Sequence, residues 1–239
     1  MLQVRSAVMK KLYEKNGLLF AVIWIIIYCA LTVPIRGELG DESIQMLIVL
    51  ALISVFTALF VRSNRLEGKY GLLGWPKDIR KYLYFIPMWI LSAGNLWGGF
   101  GMAYSGIAQV FAVISMALIG WVEEIIFRGF LFKAILKKDG AKVAIIISSL
   151  TFGIGHIVNL FAGQATPQTV LQVIFAVIWG FIFTLVFYKS GSLLPCIAAH
   201  SLVDVFSKFA RDNEKMEFVY VLVTIVFGGI YCIYLSRKD

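Results

Sequence analysis

The most informative feature of this sequence is its shortage of charge. Only 15% of its 239 residues are Asp, Glu, Lys or Arg, whereas 60% are hydrophobic. A soluble globular domain carries about 25% charged residues, so the composition excludes that class and is typical of a polytopic membrane protein. Histidine is scarcer still, with two in the whole chain, which makes each of them a candidate for a specific role.

Cysteine is also rare, and its positions exclude a disulfide scaffold. Cys29, Cys196 and Cys232 all fall inside long apolar runs, where packing is the simplest role for a small thiol. A thiol surrounded by apolar helix is inert as a nucleophile, so we do not predict a cysteine enzyme. The sequence has no internal repeat and no low-complexity run, which indicates a single membrane domain, 1–239.

The chain lacks a basic stripe interleaved with exposed aromatic residues, although its net charge is +8. This absence argues against a nucleic-acid partner, and the positive charge instead favours contact with membrane lipid. The first apolar run is longer than a signal-peptide core and has no small-residue cleavage site, so we expect it to be retained as a span.

Long apolar runs are what the sequence has in abundance. A helix needs roughly 20 apolar residues to cross a bilayer, and we predict about eight such helices in an all-α fold. They are 18–36, 44–61, 82–98, 107–132, 143–162, 168–188, 190–207 and 218–235.

The loop charges predict the orientation of these spans, since Lys and Arg collect in short cytoplasmic loops. With both termini cytoplasmic, most basic residues lie inside, whereas the opposite loops are acidic, mixed or uncharged. The inside set is Arg5, Lys10, Lys11, Lys15, Arg62, Arg65, Lys69, Lys77, Arg80, Lys81, Lys133, Lys137, Lys138, Lys142, Lys189, Arg237 and Lys238. We therefore expect a multi-pass membrane protein with cytoplasmic N and C termini.

A few strongly polar residues interrupt the spans. A charged side chain at the centre of a membrane helix costs about 2.5–3.5 kcal/mol, so such residues usually face the protein interior and serve a function. The set is Glu123, Glu124, Arg128, His156, His200 and Asp204. At a rise of 1.5 Å per residue, three helices bring these groups to a similar depth, roughly 15–21 Å from the cytoplasmic side. The convergence predicts one site.

Helical spacing predicts which of these side chains pair. Residues four apart share a face, so Glu124 and Arg128 are expected to form an ion pair that leaves Glu123 free. By the same spacing, Asp204 is expected to fix the tautomer of His200. A free carboxylate beside imidazoles is suited to general acid–base hydrolysis or to metal binding.

Three motifs in these spans resemble those of one known family. They read EEIIFR at 123–128, FGIGH at 152–156 and HSLVD at 200–204. In this order they are similar to the motifs of the CPBP family of intramembrane proteases, which includes the CAAX prenyl endopeptidases and the bacterial, bacteriocin-immunity-type Abi proteins. The resemblance covers about residues 107–207 and implies that this segment is the catalytic core of an eight-helix membrane endopeptidase.

The resemblance also implies roles for individual residues. Glu123 with His156 would activate water, and His200 with the residue at position 204 would stabilise the oxyanion. Eukaryotic prenyl-protease relatives carry Asn where this chain has Asp204. An ionised Asp cannot donate a hydrogen bond, so Asp204 would act either as a neutral donor or by orienting His200 as the donor.

The cofactor stays open between two chemistries. Glu123, His156 and His200 would supply the two-histidine, one-glutamate ligand set of a catalytic zinc site, as in a metalloprotease. The sequence has no H-E-x-x-H helix, however, and we favour a water molecule activated by Glu123 without a metal.

Two other functions remain as alternatives to proteolysis. One is a catalytically silent membrane protein that binds or regulates a partner; the other is an ion-coupled transporter, since Glu, His and Asp within spans also mark ion pathways. For a protease, we expect the substrate to be a membrane-associated peptide or a protein tail that enters from the cytoplasmic side. By analogy with bacterial relatives, we expect the bacterial plasma membrane.

Overall fold

The computed structural model describes residues 2–76 and 83–237, with side chains from residue 8 onward. Within these ranges the regular structure is helical, and the one β-bridge pairs Phe100 with Ala210. The predicted all-α polytopic membrane fold is confirmed. The predicted cytoplasmic residues Lys77, Arg80, Lys81 and Lys238, and the side chain of Arg5, lie outside the described part of the chain.

Ten α-helices follow one another along the described residues. They are α1 (Leu2–Lys15), α2 (Gly17–Leu39), α3 (Ile44–Ser63), α4 (Ile86–Ser92), α5 (Gly106–Glu124), α6 (Lys133–Gly155), α7 (Thr166–Ser190), α8 (Leu194–Ser207), α9 (Glu214–Val223) and α10 (Gly229–Arg237). Segments of π-helix, Ile125–Phe132 and Thr224–Gly228, continue α5 into α6 and α9 into α10, and the 3₁₀ segment His156–Ala162 continues α6.

Five helical stretches in the described residues are long and apolar enough to cross a membrane. They are α2, α3, a continuous stretch over 106–162, α7 and the stretch 214–237. Two shorter apolar helices, Leu83–Ser92 and Leu194–Ser207, correspond to the predicted third and seventh spans. The total of eight spans and the cytoplasmic location of the termini stay predictions.

The longest stretch, 106–162, is a hairpin rather than one rod. Gly140 breaks the helix with φ of 84° and ψ of 175°, a conformation that only glycine adopts readily. Beyond it, α6 folds back along the π-helical segment, where the hydroxyl of Ser148 donates to the backbone carbonyl of Phe127 at 3.0 Å. One apolar stretch therefore supplies two antiparallel arms.

Two glycines let helices pack closely around the polar residues. A Cβ atom at Gly120 would lie 2.6 Å from the backbone nitrogen of Ser201 on α8, and one at Gly153 would lie 2.6 Å from that of Val177 on α7. Small residues at such contacts allow membrane helices to approach. Gly155, by contrast, has open space where its Cβ would lie.

The two ends of the bundle differ in charge. We call one end the basic end. There the start of α2 at Gly17 packs against Ala134, and the backbone nitrogen of Leu193 donates to the carbonyl oxygen of Gly71. This end carries α1, the connection after α3 and the Gly140 turn. The other end, called the acidic end, carries the connections 40–43, 99–105 and 208–213, and the loop residue Asp41 ties two helices together there.

Candidate active site

The polar residues of the three motifs come together around the His200 side chain. α5 contributes Glu123 and Glu124 on adjacent faces, and α8 contributes His200 and, one turn later, Asp204. Glu123, Glu124 and His200 are at most 8% exposed. Close packing of α5 on α8 at Gly120 makes these contacts possible, because no side chain separates the helices there.

Arg128 is held in a fully buried pocket beneath Glu124. Its Nη1 donates to Glu124 Oε1 at 2.8 Å, and its Nη2 donates to the backbone carbonyl of Gly180 at 3.1 Å. The guanidinium also lies over the Phe152 ring, 4.2 Å from its centroid. The predicted ion pair is present, and these further contacts compensate a charge that would otherwise be costly inside the bundle.

The helix carrying these groups widens immediately after Glu124. Residues Ile125–Phe132 form a π-helix, and all eight residues are buried. Such π-helical segments are rare and often occur at functional sites. Here the segment begins just after the two glutamates and contains Arg128.

His200 is surrounded by three carboxyl groups. Its Nδ1 lies 3.0 Å from Glu124 Oε1, whereas its Nε2 lies 3.5 Å from Asp204 Oδ2 and 3.7 Å from Glu123 Oε2. Asp204 lies beside His200, as the spacing predicts, but its contact is to Nε2 and is longer than that of Glu124 to Nδ1; its effect on the tautomer stays a prediction. Glu124 makes the close contact to Nδ1, because α5 packs so tightly on α8 that its carboxylate lies nearer than the residue one turn along α8.

Aromatic rings fix the plane of the His200 imidazole. Phe183 stacks on it with ring centroids 5.2 Å apart, and Phe152 meets it edge-on at 5.6 Å. With Glu124 on Nδ1, this packing directs Nε2 towards Glu123 and Asp204.

Tyr28 is the important residue that the sequence analysis missed. Its hydroxyl donates to Glu123 Oε1 at 2.7 Å, across 95 residues of sequence. The other oxygen, Oε2, is buried without a hydrogen-bond partner in the protein. One signal was available: Tyr28 lies in the middle of a predicted span, whereas membrane tyrosines concentrate at the interfaces.

His156 lies across a small cavity from these groups. Its Nδ1 donates to the backbone carbonyl of Phe152 at 3.0 Å, which leaves Nε2 as the nitrogen available to a ligand. Glu123, Tyr28 and His156 line the same cavity, of about 50 Å³. A cavity holds a water molecule when about 10–15 Å³ is open to a water-sized sphere, so this cavity has room for water beside Glu123.

A polar network extends from this cavity towards the acidic end. The Nη1 of Arg36 donates to Asn159 Oδ1 at 3.3 Å, and Asn159 Nδ2 donates to Gln172 Oε1 at 2.8 Å. Arg36 also pairs with Asp41 at 2.8 Å, and Asp41 pairs with Lys208 at 3.0 Å. Burial opposes ionisation of Asp41, but Arg36 and Lys208 hold the pKa of this loop carboxyl below its usual range.

Glu123, His156 and His200, the candidate zinc ligands, do not form a metal-binding group in the described residues. Among the described residues, no cluster of three or more His, Cys, Asp or Glu side chains is arranged to hold a metal ion. The Nδ1 of His156 is engaged by Phe152, and His200 is engaged by Glu124.

Comparison with known proteins gives one match. Residues 105–206 match the family model described as type II CAAX prenyl endopeptidase Rce1-like, in agreement with the family resemblance of the three motifs. No curated protein and no solved structure matches the chain.

Proposed function

We propose that this chain hydrolyses a peptide bond with Glu123 as the general base, on the premise that residues 105–206 match the type II CAAX prenyl endopeptidase Rce1-like family model. The protein is a multi-pass membrane protein of a peptidase family. The substrate we propose is a membrane-associated peptide or protein, and the catalytic core is the segment 107–207. The bacterial plasma membrane remains our proposed location.

One observation carries this proposal: the two oxygens of Glu123 are in different environments. Oε1 accepts a hydrogen bond from Tyr28, whereas the buried Oε2 has no hydrogen-bond partner in the protein and lies 3.7 Å from His200 Nε2. A fixed carboxylate with one unpartnered oxygen beside a cavity is suited to hold and deprotonate a water molecule.

The proposed reaction begins when Glu123 takes a proton from water that His156 Nε2 helps to orient. The resulting hydroxide attacks the carbonyl carbon of the scissile bond, and the carbonyl oxygen becomes an oxyanion. Collapse of this intermediate breaks the carbon–nitrogen bond, and Glu123 returns its proton to the leaving amine.

We assign stabilisation of the oxyanion to the Nε2–H of a His200 that carries protons on both ring nitrogens, since its Nδ1–H donates to Glu124. Glu124 on Nδ1 and Phe183 on the ring face hold the imidazole in place, and a fixed donor of this kind is worth about 2.7–4 kcal/mol in acyl-transfer enzymes. Arg128 is a positioning residue, since it contacts Glu124. Asp204 lies on the Nε2 side, and we assign it to the orientation of His200 during the reaction.

The test is cleavage of a library of membrane-inserted peptides by the purified protein in detergent. Glu123→Gln and His200→Ala should each abolish cleavage while leaving the protein folded, because they remove the base and the oxyanion donor. Glu217→Gln is the matched control, since Glu217 is exposed at the start of α9. Cleavage that persists in Glu123→Gln would contradict the proposal, and absence of cleavage by the folded wild type would favour a binding or regulatory protein.

A second arm of the experiment addresses the cofactor. Activity that survives a strong chelator is expected if Glu123 activates water alone. Activity lost on chelation and restored by zinc would assign a metal to Glu123, His156 and His200.

A further inference from the structure

We propose that a groove at the basic end of the bundle binds an anionic phospholipid, with the phosphate at Lys142 and Lys189 and an acyl chain in the apolar part of the groove. The groove lies along α7, between α6 and α10, and has a volume of about 460 Å³. Sites for small molecules have volumes of about 300–1,000 Å³. Among the described residues, the groove shares no lining residue with the cavity beside Glu123, and the inference goes beyond the proposed peptidase function.

The walls of the groove come from helical stretches that are long and apolar enough to cross a membrane. They belong to the stretch 106–162, to α7 and to the stretch 214–237. Helix α7 packs against both α6 and α10, and the lining residues Ile146 and Ile233 are exposed on the protein surface. In a bilayer this groove therefore meets lipid.

Polarity along the groove follows the order of groups in a phospholipid. On each helix the lining residue nearest the basic end is polar: Lys142 on α6, Lys189 on α7 and Ser236 on α10. Deeper lining residues, such as Phe181 on α7, are apolar. Phe181 precedes Lys189 by eight residues, so the groove reaches roughly 12 Å into the span at 1.5 Å per residue. One leaflet is about 15 Å deep, half of a hydrocarbon core of about 30 Å, so the depth of the groove suits an acyl chain of one leaflet.

The charge of the groove favours an anionic headgroup. Its charged lining residues are Lys142 and Lys189, and none of the described residues that line it is acidic. Tyr188 and Ser236 add hydroxyl groups to the same lining. An ammonium group has three N–H donors, so each lysine can bind phosphate while it keeps contacts with the protein. Basic pockets between membrane helices bind anionic headgroups, whereas a zwitterionic headgroup carries its own cation and gains less from two lysines.

Helix α7 joins the groove to the candidate active site. Phe181 lines the groove, whereas Gly180 and Phe183 contact the site: the carbonyl of Gly180 accepts from Arg128, and Phe183 stacks on His200. A ligand that binds only the folded protein stabilises it by mass action. We therefore expect the lipid to stabilise the helix that positions Arg128 and His200.

Native mass spectrometry of the purified protein with added lipid tests the proposal. The probe is phosphatidylglycerol, compared with phosphatidylcholine that has the same acyl chains. Lys142→Gln/Lys189→Gln removes both charges from the groove. Lys10→Gln/Lys11→Gln is the matched control, because it removes two charges from exposed positions on α1 at the same end. Ile233→Trp keeps the lysines and fills the apolar part of the groove from an exposed position.

We expect wild type to bind phosphatidylglycerol more tightly than phosphatidylcholine and to unfold at a higher temperature in its presence. The affinity for phosphatidylglycerol should fall roughly 10- to 30-fold in Lys142→Gln/Lys189→Gln, since each lysine near an anionic lipid contributes about fivefold. It should fall in Ile233→Trp as well, and the α1 control should bind as wild type does.

Equal affinity for the two lipids, unchanged affinity in Lys142→Gln/Lys189→Gln, or an equal loss in the α1 control would overturn the inference. A dimer that is lost in Ile233→Trp would also overturn it, because the groove would then bind a second copy of the chain. Circular dichroism shows whether each variant keeps its helices, and the lysine variant tests the proposal by itself. The measurements involve no peptide cleavage, so their outcome is independent of the proposed peptidase function.

Discussion

At the scale of single residues, the site depends on contacts that give neighbouring groups different tasks. Glu123 and Glu124 are adjacent in sequence, yet Tyr28 binds the first and Arg128 binds the second. Glu124 also contacts His200. Glu124 is therefore fixed by its contacts with Arg128 and His200, whereas Glu123 keeps its Oε2 available to the cavity.

Replacing Tyr28 by Phe removes the hydroxyl and keeps the ring. A hydrogen bond to a charged group contributes about 1.5–3 kcal/mol, and we expect kcat to fall by roughly tenfold or more, at 1.36 kcal/mol per factor of ten. KM should change little, because Glu123 loses its orientation rather than its contact with substrate. Steady-state kinetics on a cleaved peptide measure both. Tyr13→Phe, which removes a hydroxyl near Lys69 and Tyr70, is the control, and an equal loss there would refute a specific role for Tyr28.

Replacing Arg128 by Met leaves the buried carboxylate of Glu124 without its partner. Breaking a buried pair costs about 3–5 kcal/mol, so we expect a large loss of folded protein in detergent, measured by thermal unfolding. The double variant Glu124→Gln/Arg128→Met should recover stability but not cleavage, because His200 then lacks its charged partner on Nδ1. Recovery of activity together with stability would show that Glu124 has only a structural role.

At the scale of helices, the site depends on how separate elements are fastened together. The Gly140 turn brings α6 back along the π-helical segment, and Gly120 and Gly153 allow two close helix contacts. At the acidic end the loop carboxylate of Asp41 joins Arg36 on α2 to Lys208 after α8. The two ion pairs of Asp41 hold α2 near α8, the helix that carries His200.

The Asp41 tie predicts a loss of stability in acid. A carboxyl whose pKa is lower in the folded state stabilises the protein above its unfolded pKa, about 3.9, and this contribution disappears as the pH falls through the folded value. Asp41→Asn should lower stability at neutral pH by roughly 1 kcal/mol, or about 2–4 °C in melting temperature. The difference from wild type should begin to shrink below about pH 4 and disappear as the pH falls through the lower, folded pKa of Asp41.

Thermal unfolding in detergent between pH 3 and 7 provides the measurement. Glu38→Gln, at an exposed position near the end of α2, should leave the profile unchanged. A constant difference between Asp41→Asn and wild type across the whole range would mean that charge is not the source of the effect.

At the scale of the whole molecule, charge and packing divide the protein into two unlike halves. The half nearer the basic end is a dense aromatic core around Phe130 and Phe183. The half nearer the acidic end contains the cavity beside Glu123 and the hydrogen bonds of Arg36 and Asn159. The site lies where these halves meet.

The orientation of the molecule is itself a prediction. A fluorescent protein fused after the last residue should fold and fluoresce, because the C terminus is expected in the cytoplasm. Alkaline phosphatase should be inactive at that position and active when fused after Tyr104 or Gln164, in connections expected outside. The reverse pattern would contradict the predicted cytoplasmic location of the C terminus.

The sequence by itself determined the apolar spans and the short set of polar residues inside them. Both are local properties: a run of apolar residues is long enough to span or it is not, and a buried charge is conspicuous wherever it occurs. The Glu124–Arg128 pair was predictable for the same reason, since helical spacing brings residues four apart together.

Only the tertiary structure decided which groups these residues meet on other helices. The Tyr28–Glu123 bond spans 95 residues and the Glu124–His200 contact spans 76, and neither leaves a periodic signal in the chain. Sequence spacing offered Asp204 as the partner of His200, but the approach of α5 to α8 brought Glu124 closer to its Nδ1. Helix packing depends on the shapes of both surfaces at once, so no single segment encodes it.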